Sequence, residues 1–166
     1  MNENKTVSIS NRESAEAIAI GASAYSILLG AQHSKGQLAI IEMLVPPGGG
    51  PVPHEHRGFQ ECFYVLEGEI EMKTKDATLQ AKQGDLIHIP LDGPVHCFKN
   101  TAPGNARLLC IVVPSGLDAF FKEVGQRIPA GMMPEVAGPP SPEHLQQIHE
   151  TAERYGQKLY PKDHLD

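Results

Sequence analysis

The segment GGGPVPHEHRGFQECFYVLEG, residues 48–68, decides how the rest of the chain is interpreted. His54 and His56 are two residues apart, which on a β-strand places both side chains on one face and on a helix would splay them. The prolines and glycines before His54 exclude a helix, because proline lacks an amide donor and glycine is costly to order. Glu61 follows after the short loop Arg57–Gln60 and opens an apolar run that ends at Gly68. We therefore predict strands here, with both histidines facing the same way.

Short apolar segments separated by turn residues lie on both sides of this stretch. Strands spaced roughly every 8–12 residues, with turn chemistry between them, indicate an antiparallel sandwich or barrel. Residues 1–15 are polar and are predicted to form a loose arm. Periodicity does not decide whether residues 18–29 form a helix or two strands. The predicted strands cover residues 38–46, 61–68, 69–74, 78–82, 85–90, 95–100 and 106–114.

The character of the chain changes after Pro114, where helical spacing replaces alternation. Residues 116–128 have apolar side chains at helical intervals, and a loop rich in proline and glycine follows over residues 129–142. A second helix is predicted over residues 141–156, with Ser141 as N-cap and Gly156 as its stop. We expect one domain over residues 1–166, with a barrel core at about 20–114 and a helical cover at about 116–160.

Composition and charge exclude several classes of partner. The formal net charge of −6 and the lack of a Lys/Arg cluster argue against nucleic-acid binding. No apolar run approaches the ~18 residues of a membrane span. Three cysteines, an odd number without CxxC spacing, argue against a disulfide framework and favour a reducing compartment, so we expect a cytoplasmic protein.

A second block of residues supplies a further candidate metal ligand. A single His-x-His pair is weak support, because eight histidines among 166 residues produce such pairs by chance. His96, however, lies on a later predicted strand, and three imidazoles with one carboxylate suit a divalent transition metal. The spacing of both blocks is regular: Gly48, His54, His56, Glu61 and Gly68 in the first, then Gly84, Pro90, Gly93, His96 and Asn100 in the second.

These two blocks resemble the two motifs of the cupin superfamily. The first block matches at every defined position, whereas in the second Pro90 and Gly93 are separated by two residues instead of the usual one, which lengthens the turn before His96. The resemblance implies an all-β fold, a small jelly-roll (double-stranded β-helix) barrel of about six to eight strands with C-terminal helices. It also implies that His54, His56, Glu61 and His96 point inward onto one divalent metal ion.

The flanking sequences resemble single-domain quercetinase-like (quercetin 2,3-dioxygenase-like) cupins over roughly residues 20–160. They are LVPPGGGPVPHEHRGFQECFYVLEGEIEM, PSGLDAFFKEVGQ and PPSPEHLQQIHETAERYG. The resemblance implies a metal-dependent dioxygenase that acts on a small phenolic or enolic, flavonol-like compound, with Glu61 as both ligand and general base. It further implies a homodimer, while iron, manganese, nickel, cobalt, copper and zinc all remain possible metals.

Two other functions remain open. One is a different metalloenzyme of the same fold, an isomerase, cyclase or decarboxylase, and the other is a non-catalytic module that binds a small molecule. Alternation places Phe63 on the face of Glu61 and Phe98 on that of His96, so both either contact a flat organic substrate or simply pack the interior. On the strand predicted over residues 38–46, either Ile40 and Glu42 or Ala39 and Ile41 face inward.

The remaining candidate residues are expected to lie away from the metal. His88 is either a support for a ligand or an exposed or core histidine. Cys62, Cys97 and Tyr64 should face away from the site because they alternate with inward residues. Surface positions are expected for His33, His144, His149 and His164.

Overall fold

The computed structural model describes residues 6–135 and 140–166, which form two antiparallel β-sheets and three helices. The strands are β1 (Glu16–Ile20), β2 (Ser23–Leu29), β3 (Ala39–Val45), β4 (His54–His56), β5 (Gln60–Glu67), β6 (Glu69–Thr74), β7 (Thr78–Lys82), β8 (Leu86–Ile89), β9 (His96–Asn100), β10 (Ala106–Val113), β11 (Gln126–Ile128) and β12 (Gln157–Leu159). The helices are α1 (Ala31–Ser34), α2 (Leu117–Val124) and α3 (Pro142–Arg154). Within the described residues, no helix is both long and apolar enough to cross a bilayer.

The two sheets divide the candidate ligands between them. The larger sheet has the strand order β11-β1-β2-β3-β10-β5-β8, and the smaller has the order β12-β4-β9-β6-β7. Strands β4 and β9 bring His54, His56 and His96 from the smaller sheet, while β5 brings Glu61 from the larger one. Two packed antiparallel sheets with few helices confirm the predicted all-β jelly-roll architecture with C-terminal helices.

The core lies between the inner faces of the sheets. On β3 the side chains of Ala39, Ile41, Met43 and Val45 are buried, which decides the alternative that the sequence left open. Glu42 points the other way, where its Oε1 lies 3.1 Å from Nη2 of Arg107. Antiparallel pairing joins Ile41 to Cys110 on β10, so the inner faces of these neighbouring strands form one apolar surface.

The segment at residues 18–29, which the sequence left open as a helix or two strands, belongs to two strands. β1 and β2 pair antiparallel, with Glu16 opposite Ile27, so residues 18–29 do not form a helix. The predicted arm over residues 1–15 falls partly outside the described residues, which begin at residue 6, and residues 6–15 form no helix or strand. They are mostly exposed, as a polar segment should be.

The first predicted helix, residues 116–128, is wrong at its C-terminal end. Helix α2 ends at Val124, and residues Gln126–Ile128 form β11, which pairs with β1 at the edge of the larger sheet. Gly125 permits this change of structure because its backbone packs closely on β1: a Cβ there would lie 2.3 Å from Cγ2 of Ile18.

The second predicted helix is confirmed near its predicted limits. Helix α3 begins at Pro142, and the backbone N–H of His144 donates to Oγ of Ser141 at 3.2 Å, an N-cap bond. The loop before it, predicted over residues 129–142, includes residues 136–139, which lie outside the described residues. After α3, Gly156 adopts φ +73° and turns the chain into β12, a strand that the sequence analysis did not predict.

Candidate metal centre

The two histidines of β4 point into the interior of the barrel. His54 and His56 are 8% and 2% exposed, while Glu55 between them is half-buried, which is the alternation predicted from their spacing. β4 pairs with β9 so that His54 lies opposite His96, and the centroids of these two rings are 4.5 Å apart. The smaller sheet therefore presents three buried imidazoles on one surface.

Glu61 reaches the same place from the other sheet. Its Oε2 lies 3.5 Å from Nε2 of His56 and 3.9 Å from Nε2 of His96, and its side chain is buried. Ligand atoms of His54, Glu61 and His96 all lie within 4.8 Å of one another. This His-Glu-His group is a candidate metal site within the described residues.

His56 does not belong to that close group, although the sequence predicts it as a ligand. Its ring centroid lies 6.3 Å from that of His54 and 5.2 Å from that of His96. The ring of Phe59 stacks on His56 with the centroids 4.2 Å apart, which fixes the plane of the imidazole. His56 therefore lies beside the cluster of His54, Glu61 and His96, with its Nε2 facing the carboxylate of Glu61.

Each imidazole is oriented by a backbone carbonyl. Nδ1 of His54, His56 and His96 lies 2.9, 3.1 and 2.8 Å from the carbonyl oxygens of Val52, Phe59 and Pro94, respectively. An N–H at Nδ1 donates to each carbonyl, and the neutral ring then carries its lone pair at Nε2. This is the tautomer that a metal requires of histidines bound through Nε2.

The Nε2 atoms of two of these histidines have no hydrogen-bond partner among the residues that the structure describes. Those of His56 and His96 are buried and unpaired, a state that costs free energy in a protein interior. Lone pairs that converge beside a carboxylate, with no donor to satisfy them, are the chemistry of a metal-binding set. The residues present therefore fit a divalent transition metal.

The electrostatics of the site favour the protonation states of metal ligands. Burial alone would raise the pKa of Glu61, but the imidazoles of His56 and His96 and the charge of His54 lower it to about 2. Burial, together with the neighbouring His96, lowers the pKa of His54 to about 4. At neutral pH Glu61 is therefore an anion and His54 is neutral.

The extra residue before His96 is accommodated in a turn that also contacts the loop after β4. The N–H of Gly93 donates to the carbonyl of Pro90 at 3.0 Å, and Asp92 adopts φ +54°. Oδ1 of Asp92 accepts from the backbone N–H of Gly58 at 2.9 Å. The longer turn therefore leaves His96 facing inward, opposite His54.

Phe63 and Phe98 lie in the interior, as alternation predicts. They are 2% and 4% exposed, and their rings meet edge to face with centroids 5.3 Å apart. Phe63 follows Glu61 by two residues, and Phe98 follows His96 by two, so both side chains lie next to the candidate metal site on their strands.

Other residues singled out in the sequence lie away from the metal group. His88 is exposed, and its Nε2 lies 3.1 Å from Oε1 of Gln60. Tyr64 is exposed, and Cys62 and Cys97 are half-buried free thiols outside the His-Glu-His group. The four histidines predicted at the surface, His33, His144, His149 and His164, are all exposed.

Two residues at the site were missed by the sequence analysis. Cys110 on β10 is fully buried, and its thiol donates to Oε1 of Glu61 with Sγ at 3.1 Å. Gln157 on β12 lies opposite His56, and within residues 6–135 and 140–166 its buried Nε2 has no hydrogen-bond partner. Residues directly opposite in antiparallel strands share a face, so Gln157 points to the same side as His56.

Comparison with known proteins supports the jelly-roll fold and a relationship to cupins. Residues 41–112 match the model of the family described as Cupin domain. Quercetin 2,3-dioxygenase of Bacillus subtilis is 28% identical over 101 residues, which are 61% of this chain and 29% of that protein. An oxalate-binding protein of Thermotoga maritima is 29% identical over 83 residues, or 50% of this chain and 67% of that protein.

Solved structures agree on the fold. A predicted oxalate decarboxylase of Thermotoga maritima superimposes with a TM-score of 0.60 at 20% identity, over 64% of this chain and 99% of that one. The polyketide cyclase RemF of Streptomyces resistomycificus gives 0.58 at 22% identity, over 88% of this chain and 96% of that one. Sequence identities of 20% and 22% support a shared fold and nothing beyond it.

The chain has the cupin fold, and the matches support a relationship at the level of the cupin superfamily. Residues 41–112 contain the four predicted ligands and are the part that matches the domain model. The chain spans only 29% of the Bacillus dioxygenase, and the neighbours include a dioxygenase, an isomerase and a cyclase.

Proposed function

We propose that this protein is a metal-dependent cupin oxidoreductase of the dioxygenase type that acts on a small phenolic or enolic, flavonol-like compound. The observation that carries the proposal is the pair of buried, unpaired Nε2 atoms of His56 and His96 beside the carboxylate of Glu61. The similarity to the Bacillus quercetin 2,3-dioxygenase, 28% identity over 101 residues, supports the choice of reaction.

The proposed metal set consists of His54, His56, Glu61 and His96. Three of these residues are already clustered, and His56 needs only a modest approach, since its Nε2 is 3.5 Å from Oε2 of Glu61. A divalent iron, manganese, nickel, cobalt, copper or zinc ion held there would supply a Lewis acid with open positions for substrate oxygens and dioxygen.

Glu61 is the proposed general base, because it is the carboxylate of this cluster and is ionised. A pKa of about 2 makes it a weak base, so the role requires the carboxylate to swing partly off the metal as the substrate proton approaches. Its role would be to take the proton of a phenolic or enolic hydroxyl that approaches the imidazoles. Phe63 and Phe98 are the proposed apolar wall against which a flat substrate lies, with their edge-to-face contact holding both rings in place.

The test is a metal analysis of the native protein followed by a substrate panel under air and under argon. We expect close to one metal ion per chain and consumption of dioxygen with a flavonol or a related enol. Turnover that is equal under air and argon would contradict the dioxygenase and would favour an isomerase, cyclase or decarboxylase.

Glu61→Gln separates the two roles proposed for the carboxylate. The amide retains an oxygen donor of nearly the same size but is a far weaker base, so some metal should remain bound while turnover is lost. His88→Gln is the matched control, because His88 is exposed and away from the cluster, and it should behave as wild type. Unchanged turnover in Glu61→Gln would contradict the base role.

A binding module is the second candidate, and the similarity to the oxalate-binding protein of Thermotoga maritima favours it. Such a protein would bind a small oxygen-rich ligand through the same metal set without changing it. Isothermal titration with oxalate and with a flavonol, followed by mass analysis of the recovered ligand, distinguishes the two. A ligand bound tightly and recovered intact would favour the module.

We also propose a cytoplasmic homodimer. Tyr64 and Leu86 lie opposite each other on the edge pair β5 and β8 and are 40% and 61% exposed, which makes this pair a candidate contact between copies. The three free thiols support a reducing compartment. Light scattering on wild type and on Leu86→Lys tests the dimer, because a charge at this position should yield monomers.

A further inference from the structure

The thiol of Cys110 lies against the carboxylate of Glu61. Sγ is 3.1 Å from Oε1 of Glu61, and both residues are buried, Cys110 at 0% and Glu61 at 3% exposure. β10 pairs with β5 so that Val112 lies opposite Glu61 and Cys110 opposite Phe63. Cys110 is therefore the diagonal neighbour of Glu61 on the inner face, close enough for side-chain contact.

The hydrogen bond between these two side chains has one direction. A carboxylate has no hydrogen to give, so the thiol donates from Sγ–H to Oε1 of Glu61. Cys110 is also outside the group of clustered ligand atoms, which distinguishes it from a thiolate ligand.

The two oxygens of Glu61 therefore have different partners. Oε1 accepts from Cys110 on the larger sheet, and Oε2 faces Nε2 of His56 and of His96 on the smaller sheet. A carboxylate without the first contact is free to rotate about its last bond or to present both oxygens to a metal. With the contact in place, one oxygen is held and the other is aimed at the imidazoles.

We propose that Cys110 is a positioning residue that orients Glu61, holding Oε1 so that Oε2 faces the imidazoles that would share a metal ion with it. The inference rests on the metal site of the proposed function. It adds a residue from β10, a strand with no predicted ligand, whose role is to set how Glu61 binds and how freely it turns towards a substrate proton.

Cobalt(II) binding tests the proposal without any need for turnover. Cys110→Val removes the donor but keeps an apolar side chain of similar size, and Cys110→Ser keeps a donor. We expect Cys110→Val to bind cobalt at least about tenfold more weakly and to show an altered visible d–d spectrum, as changes to residues that support ligands do. Cys110→Ser should restore the spectrum and most of the affinity.

The matched control is Cys62→Ala. Cys62 is adjacent to Glu61 on β5 but is half-buried and outside the metal group, so its removal should leave the cobalt spectrum and affinity unchanged. If Cys110→Val folds and binds cobalt with the affinity and spectrum of wild type, the positioning role is wrong.

An infrared measurement on the metal-free protein keeps the inference separate from the metal site. The S–H stretch of a thiol that donates to a carboxylate lies at lower frequency than that of a free thiol. We expect a low-frequency S–H band that disappears in Cys110→Val and shifts upward in Glu61→Gln, but persists in Cys62→Ala. Failure of wild type to bind cobalt with the band present would overturn the metal site, whereas absence of the band would overturn the role of Cys110.

Discussion

Gly50→Ala should damage the protein more than any other single methyl group added to the glycine-rich segment before β4. Gly50 adopts φ +146°, a conformation essentially restricted to glycine. An alanine Cβ at this position would lie 1.9 Å from the carbonyl oxygen of Phe98 and 3.2 Å from Cα of Lys99. Both contacts are with the backbone of β9, which cannot move aside as a flexible side chain would.

The size of the effect follows from these contacts. To reach 3.0 Å, below which real Cβ atoms are essentially never found, Gly50 and β9 must part by 1.1 Å, the difference from 1.9 Å. That movement would break the two bonds that join the segment to β9, Gly48 N–H to the carbonyl of Asn100 (2.8 Å) and Asn100 N–H to the carbonyl of Gly49 (2.9 Å). Strain of about 1–3 kcal/mol and about 1 kcal/mol for each bond predict a loss of about 3–5 kcal/mol.

The assay is urea denaturation of the metal-free protein, followed by far-ultraviolet circular dichroism because the chain has no tryptophan. Gly48→Ala is the matched control: Gly48 also has a positive φ, +74°, but nothing lies within 4 Å of its added Cβ. It should lose only about 1–2 kcal/mol. Equal losses for the two variants, or a Gly50→Ala protein within about 1 kcal/mol of wild type, would refute the reasoning.

Three further predictions concern the metal, strand β12 and the contact of Asp118 with the start of helix α1. Metal at 100 times its dissociation constant should raise the free energy of unfolding by about 2.7 kcal/mol; no change in the melting temperature when a chelator removes analytically verified metal would contradict binding to the native state. Gln157→Leu should stabilise the metal-free protein by about 1 kcal/mol, because the buried Nε2 of Gln157 is unpaired within the described part of the chain. A clear loss of stability in chemical denaturation would mean that this amide has a partner. Asp118→Ala should lower the free energy of unfolding by about 2–3 kcal/mol, because the buried carboxylate accepts from the N–H groups of Ala31 (2.8 Å) and Gly116 (3.1 Å). A loss below about 0.5 kcal/mol in chemical denaturation would show that water replaces both bonds.

The parts of the site that follow from strand alternation could be predicted from the sequence. On β5 the side chains of Glu61, Phe63 and Val65 are buried and Tyr64 is exposed, because a period of two puts alternate residues on opposite faces. The same period holds for His54 and His56 on β4. On these two strands the candidate ligands mark the inner face, so the period of two then places their neighbours.

On β3 the sequence pattern does not show which face is buried. The set Ala39 and Ile41 is apolar, and Ile40 on the other face is apolar as well, so both registers look alike in the sequence. The pairing of Ile41 with Cys110 on β10 decides between them, and that is a contact between strands about 70 residues apart. The contact of Cys110 with Glu61 was unpredictable for the same reason, since it depends on how β10 is aligned with β5.

The short strands β11 and β12 could not be predicted because each has only three residues. Their sequences, QRI and QKL, contain too few apolar positions to show a period. Each forms because a sheet edge offers unpaired backbone groups: β11 docks on β1 and β12 on β4. Glycines 125 and 156 allow the chain to leave a helix and enter these edges.

The C-terminal segment helps to shape the candidate metal site, because strand β4 pairs with it. β12 contributes three residue pairs to β4, from Gln157 opposite His56 to Leu159 opposite His54, whereas β9 contributes the single pair of His54 and His96. Backbone bonds continue this pairing at both ends, from Arg57 N–H to the carbonyl of Gly156 and from Tyr160 N–H to the carbonyl of Pro53, each 2.8 Å. All the candidate ligands lie within the cupin match at residues 41–112, but the strand that fixes two of them comes from beyond it. Strand β12 therefore supports the candidate metal site, because it holds in register the strand that presents His54 and His56.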